Sequence, residues 1–345
     1  MKATARAGWL AGVAVVASMG LAACGSAAPD ASGPGDDGTE LSIVAYSVAQ
    51  APNQAVQAAF AQTTEGKGVT WTESYGASGD QSRAVESGLA ADYVHFSLGS
   101  DVTRLVDAGL VDPSWDQGAT HGSVTSSVVV FVVRPGNPKN IHTWDDLVKD
   151  GVDVITPNPG SSGSARWNIL AAWGSQIAAG ASDDAAKDYT TSLFKNIVAL
   201  PGSGREATSA FLAGTGDVLL SYENEAILAR QEGADIDYVV PDVTLRIDNP
   251  GAVTKDADPK AKAFLDYVLT PAAQAIYAGF GYRPVVDGVT LPAVEGANDP
   301  ANPFPTPAKL LTIDDFGGWG EAKSTFFDDD TGVITLIQVE TGKSS

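Results

Sequence analysis

Three glycine-serine segments stand where a strand-like stretch hands over to a helix-like one, and each could hold an anion. Tyr75-Gly-Ala-Ser-Gly-Asp-Gln81 is the first, with Ser78 and Gln81 at capping-box spacing. Asn158-Pro-Gly-Ser-Ser-Gly-Ser-Ala-Arg-Trp167 is the second, with Ser162 placed as the N-cap. Pro201-Gly-Ser-Gly-Arg-Glu206 is the third, with Ser203 and Glu206 again spaced as a box. A helix start leaves unpaired N–H groups and about half a positive charge. Glycine beside that first turn lets a ligand come close to the backbone. One such turn is ordinary capping chemistry; three in one chain point to an anion site. None of the three is the phosphate loop G-x-x-x-x-G-K-[ST] or the dinucleotide turn G-x-G-x-x-G.

The elements that must carry these turns follow from periodicity. Leu41–Tyr46, Val69–Tyr75 and Tyr93–Ser97 read as strands. They alternate with helices over Asn53–Gln62, Ser82–Ala90 and Val102–Ala108, the last stopped by Gly109. Strands alternating with helices of this length predict an α/β fold with parallel sheet, whose ligand turns lie at strand C-terminal ends. Val124–Val133 is a long apolar run able to serve one sheet and cross to another. Beyond it, Trp144–Val148, Arg166–Ala179, Lys260–Leu269 and Ala272–Phe280 read as helices. Val152–Thr156, Asp217–Ser221, Tyr238–Pro241, Ala252–Thr254 and Val333–Val339 read as strands.

Composition narrows the function. The 345 residues carry 21 Lys+Arg against 42 Asp+Glu, a net charge of −21, so a nucleic-acid backbone has no cationic footprint to meet. One cysteine and three histidines cannot build a disulfide framework or a Cys/His zinc site, and no metal or other cofactor is expected. A hydrolase needs a nucleophile with a positioned base; no G-x-S-x-G elbow is present, and His95 and His142 read as structural. The chain is therefore expected not to be an enzyme.

The N-terminus addresses the chain outward. Lys2 and Arg6 precede an apolar stretch, Trp9 to Ala22, too short to span a bilayer, which reads as a secretory signal. It ends in Leu21-Ala-Ala-Cys24-Gly25, which resembles the lipobox of bacterial lipoproteins, where the cysteine is lipidated and becomes the new N-terminus. Loss of residues 1–23 would take the net charge from −21 to −23. Ser26–Glu40 is mainly Gly, Ser, Ala, Pro and Asp, a tether with a root-mean-square reach of roughly 20 Å. The expected location is the outer face of the cytoplasmic membrane, in the periplasmic or cell-wall space.

Ser74–Ser82, Val154–Asn168, Gly216–Ala226 and Gly281-Tyr-Arg-Pro284 carry a resemblance to the bacterial sulfate-binding proteins, the solute receptors of sulfate/thiosulfate ABC importers, over about Leu41 to Trp319. The resemblance implies a type II periplasmic-binding-protein fold, two α/β lobes closing on the anion in the cleft between them. It places lobe I at 41–129 plus about 240–285, lobe II at 130–239, and a C-terminal extension at 286–345. The hinge would lie near Val128–Val133 and Tyr238–Val240. Carried over by motif position, the donors to sulfate are Ser78, Ser162, Gly163, Ser164, Gly204 and Tyr222. Ser164 stands where the enteric pattern has glycine, Gly204 where it has alanine, and Tyr222 where it has tryptophan; Ser47 replaces an aspartate. Ser47, Arg166 and Arg205 would stand behind the donors, the arginines pairing with acids such as Glu223 or Glu225. The implied partners are sulfate, with thiosulfate as a shared ligand, and the permease subunits of the importer, met by a lipid-anchored monomer; the alternative is a receptor for molybdate or phosphate.

The ligand choice turns on protons. Hydrogen phosphate brings a hydroxyl that needs an acceptor, whereas sulfate at neutral pH only accepts. A cleft of donors alone would leave that hydroxyl unpaired at about 1–3 kcal/mol. Asp80 has two readings: an exposed acid complementing a helix dipole, or a buried acceptor that would favour phosphate.

Overall fold

Apolar alternation at the start of the chain becomes a parallel sheet. The computed structural model describes residues 38–343. The signal segment, Cys24 and all of the tether before Gly38 lie outside the described residues. Strand β1 (Thr39–Tyr46) already begins inside the stretch read as tether, with Thr39 paired to Val69. It lies between β2 (Val69–Gly76) and β3 (Tyr93–His95), both parallel to it. Helices α1 (Gln50–Phe60), α2 (Ser78–Glu86) and α3 (Gly99–Asp107) follow the three strands in turn. Gly109 ends the third connection with φ +77°, where a side chain would be strained.

Strand β4 (Ser123–Val133) is buried along nearly its whole length, which is why its valines run without alternation. Next come α4 (Gly163–Ala178), α5 (Asp183–Asn196) and α6 (Gly204–Leu212), interleaved with β5 (Val154–Ile155) and β6 (Ile197–Ala199). Strand β7 (Val218–Tyr222) and α7 (Glu223–Gln231) continue directly into β8 (Asp237–Val239) and β9 (Val243–Val253). Helices α8 (Pro259–Val268) and α9 (Pro271–Gly279), strand β10 (Lys309–Leu311), and helices α10 (Gly318–Phe327) and α11 (Val333–Glu340) complete the described chain. The sheet order is β2–β1–β3–β9–β4–β7–β5–β6, with β8 on β4 and β10 on β9.

Two long strands join the halves. Ser123–Val128 of β4 pairs with β9, and Val129–Val133 pairs with β7, so β4 changes partner between Val128 and Val129. Strand β9 does the converse, pairing with β10, then β4, then β3 along its length. The return crossing is thus β9, not the Tyr238–Val240 stretch, which forms β8 against the far end of β4. Its pattern was hidden because Arg246, Asp248 and Asn249 interrupt the apolar run. Asn249 is nevertheless fully buried, accepting from Tyr46 Oη at 3.0 Å and donating to the Ser97 carbonyl at 3.2 Å.

Three other differences have local causes. Val333–Val339, expected as a strand, is α11: Ile334 and Ile337 are buried at i, i+3 while Val339 is 63% exposed, a helical stripe written in β-branched residues. The sequence pattern assigns no element to 183–196, yet Ser182 caps a helix there by accepting from the Ala185 N–H. Ser78 is the first residue of α2 and Ala77 its N-cap, so the Ser78–Gln81 box does not form. The C-terminal segment packs onto the body through β10 and through Trp319, whose ring meets that of Trp167 edge-on at 4.6 Å.

Arg283, just past α9, locks the start of α7 to β4. Its backbone N–H donates to the Ser126 carbonyl at 2.8 Å, and its guanidinium donates to both oxygens of the fully buried Glu223, at 2.7 and 3.1 Å. Burial pushes the Glu223 carboxyl up, and Arg283 opposes that shift. Arg283→Ala should therefore cost about 3–5 kcal/mol near neutral pH, by leaving a buried charge unpaired. A carboxyl raised in the folded state protonates there first, so stability is regained as pH falls. Thermal melts of this variant should close on those of the parent as pH falls below neutral, while a gap that widens on acidification contradicts the assignment.

Candidate functional site

The first turns of α2, α4 and α6 converge. Together with the Tyr46–Val48 loop and Ser97 they line one small cavity, about 200 Å³ of empty space including its mouth. Ser47, Ser78, Ser162, Gly163, Ser164 and Gly204 all line it. No charged side chain does, among the described residues. The N–H groups of Gly163, Ser164 and Gly204 open their helices and have no carbonyl four residues back to pair with. Three positive dipole ends therefore meet in a space walled by neutral donors.

Local sequence explains each turn. Ser162 is the N-cap of α4 with extended backbone, and its own N–H is tied to the Asn158 carbonyl at 2.8 Å. Ser203 caps α6 by accepting from the Glu206 N–H at 3.2 Å, while Glu206 reaches back to the Gly202 N–H at 2.9 Å. Gly163 is required by contact: a β-carbon there would come within 2.7 Å of the Ser97 and Leu98 side chains. Gly204 is less constrained, since a β-carbon would meet Val48 at 3.3 Å and Ser164 Oγ at 3.4 Å.

The halves also touch directly around the cavity. The Gly79 N–H donates to the Ser161 carbonyl at 3.1 Å, and Trp167 Nε1 donates to the Ser97 carbonyl at 2.9 Å. The Ser97 N–H donates to Ser78 Oγ at 2.9 Å, and that hydroxyl in turn donates to Asp101 Oδ2 at 2.6 Å. A serine has one hydrogen to give. Ser78 spends it on Asp101, so what it offers the cavity is its backbone N–H.

Charged groups stand behind this wall, each with its own partner. Burial pushes the Asp101 carboxyl up, opposed by the Ser78 hydroxyl and by the Arg166 charge. Arg205 pairs with buried Glu225 at 3.4 Å, as expected. Arg166 does not pair with Glu223 or Glu225: its Nε donates to the Pro159 carbonyl at 2.9 Å and its guanidinium lies over the Phe327 ring, which braces the second turn. Glu223 belongs to Arg283. Asp80 is exposed on the outside of α2 and paired with Arg83, so the buried-acceptor reading does not hold.

Tyr222 is buried but not among the residues lining the cavity; its hydroxyl is 2.6 Å from Ser97 Oγ. Ser97 lines the cavity and was missed in the sequence. A signal existed: Phe96-Ser-Leu-Gly-Ser100 is a strand end passing through serine and glycine into α3, the same signature as the other turns. Gly163→Ala should force Ser97 and α4 apart and weaken anion binding at least 100-fold in a calorimetric titration. An affinity within threefold of the parent would show that this close approach is not required.

Comparison with known proteins agrees with this geometry. A family model described as bacterial extracellular solute-binding protein matches residues 41–283. A sulfate-binding protein of Synechococcus elongatus is 40% identical over 319 residues, covering 90% of this chain and 89% of that one. A thiosulfate-binding protein of Escherichia coli is 34% identical, covering 84% of this chain and 88% of the other. The solved structure of the sulfate-binding protein SubI from Mycobacterium tuberculosis H37Rv superposes with a TM-score of 0.78 at 47% identity, covering 84% of this chain and all 100% of that chain. With identity of this extent and the type II solute-binding fold, the chain belongs to the sulfate-binding protein family of bacterial extracellular solute-binding proteins.

Proposed function

We propose that this chain is an extracytoplasmic receptor that binds sulfate, with thiosulfate as a shared ligand, and delivers it to the permease of an ABC importer. The observation that carries the reading is the cavity wall: three helix starts and several serines, with no charged side chain and no carboxylate acceptor. Such a wall satisfies an anion that only accepts hydrogen bonds, and it offers a ligand hydroxyl no carboxylate, only serine oxygens whose hydrogens the anion would otherwise take. The donors are Ser162, Gly163, Ser164, Gly204 and the Ser78 N–H. Ser47 closes the wall, and Arg166 and Arg205 brace the turns from behind.

The two lobes are residues 41–129 with about 240–285, and residues 130–239, with the C-terminal segment packed on them. Opening would bend β4 where it changes partner, between Val128 and Val129, and β9 beside it. The molecule acts as a monomer, held at the outer membrane face by lipid on Cys24. Its relatives are named as sulfate-binding and thiosulfate-binding proteins. His95, the histidine nearest the site by sequence, is fully buried between Asn53 and Thr125, and burial pushes it down to about 3, so the imidazole is held neutral.

Two experiments test the reading. Ser162→Leu should lower sulfate affinity at least 100-fold by calorimetry, with an unchanged melting temperature without ligand; unaltered affinity removes the second turn from the site. Cys24→Ser, expressed from its own signal, should shift the protein from the membrane to the soluble fraction, and unchanged membrane retention removes the lipid anchor.

A further inference from the structure

We propose that Ser97 is a ligand-contacting donor of the anion site and that Tyr222 is its positioning residue, acting through the Ser97 hydroxyl. The inference rests on the sulfate reading above and names the contact that completes it.

Ser97 is held on every side. Its N–H is spent on Ser78 Oγ at 2.9 Å, and its carbonyl accepts from Trp167 Nε1 at 2.9 Å and Asn249 Nδ2 at 3.2 Å. The backbone thus has no hydrogen left for a ligand, so what Ser97 can offer the cavity it lines is its hydroxyl. That hydroxyl lies against the first residue of α4, since a β-carbon on Gly163 would reach within 2.7 Å of Ser97 Oγ. It therefore stands beside the N–H groups that open α4, where an anion would sit.

The phenol of Tyr222 fixes which way the hydrogen points. The two oxygens are 2.6 Å apart and both residues are buried, so they share a single hydrogen bond in one orientation or the other. The phenol is the stronger acid of the two and the better donor. With Tyr222 donating to Ser97 Oγ, the serine keeps its own hydrogen for a third atom. In a chain of this kind each bond polarises the next, and an anionic acceptor at the end makes the last one charge-assisted. Tyr222, absent from the cavity lining, then influences the anion mainly through Ser97, the hydroxyl 2.6 Å from its own, with Ser164 and Asn249 as its further neighbours.

The test is a double-mutant cycle read by calorimetry with sulfate, using the full mature chain. Ser97→Ala and Tyr222→Phe should each weaken binding about tenfold or more. The double variant should be no weaker than Ser97→Ala alone, because the 2.6 Å bond to Ser97 Oγ is the route by which Tyr222 is proposed to act, not its neighbours Ser164 and Asn249. Ligand-free melting temperatures report folding separately. If Ser97→Ala does not fold, Tyr222→Phe decides with hydrogen phosphate as the second probe: the loss must fall on sulfate without creating phosphate binding. Ser97→Ala within twofold of the parent, or losses that add in the double variant, would overturn the inference while leaving the sulfate reading intact. A parent protein silent to sulfate would overturn the reading itself and this inference with it.

Discussion

A divalent anion taken out of water without a counter-charge must find its whole solvation in fixed dipoles. An isolated buried charge costs far more than any single contact returns. Hydrogen bonds to charged groups contribute only about 1.5–3 kcal/mol each, so many must point at one place. That requirement explains the architecture. Strand β2 delivers the start of α2, the β5 end leads to α4, the β6 end to α6, and the β3 end delivers Ser97. These strand ends can face one another only because β4 and β9 run through both halves and fix their relation.

The overall charge is the reverse of what an anion receptor might be expected to carry, and distance resolves the conflict. The net −21 acts at long range, and salt screens it beyond roughly 8–10 Å. The acids near the cavity are answered one by one: Asp101 by the Ser78 hydroxyl, Glu223 by Arg283 and Glu225 by Arg205. None enters the wall. Those pairings also hold the turns in place, so the same side chains that remove unfavourable charge set the position of the donors.

The three turns were legible because capping is local: residue type, glycine and spacing all lie within one short segment. The first helices and β2 were legible for the same reason, since they are buried on one side and the apolar period survives, whereas β1 and β3 are buried almost throughout and show as short apolar runs. Strand β9 was not, because Asn249 and its polar neighbours are buried in a hydrogen-bond network that no periodicity reveals. Helix α11 was misread because Val, Ile and Thr favour strands in isolation, and only packing on α10 and α5 selects the helix. Ser78 lines the cavity, but the use of its hydroxyl depends on Asp101, 23 residues away. The Ser97–Tyr222 hydroxyl pair and the close approach of Ser97 to Gly163 are likewise tertiary, since they join residues far apart in the chain.

The most direct test of the donor-only cavity is a calorimetric titration of the exhaustively dialysed body of the protein with sulfate and, separately, with phosphate near pH 7. The account predicts tight one-to-one binding of sulfate and no heat from phosphate. Binding of phosphate with sulfate silent would contradict it, because a ligand hydroxyl would then have found an acceptor in a wall that holds no carboxylate.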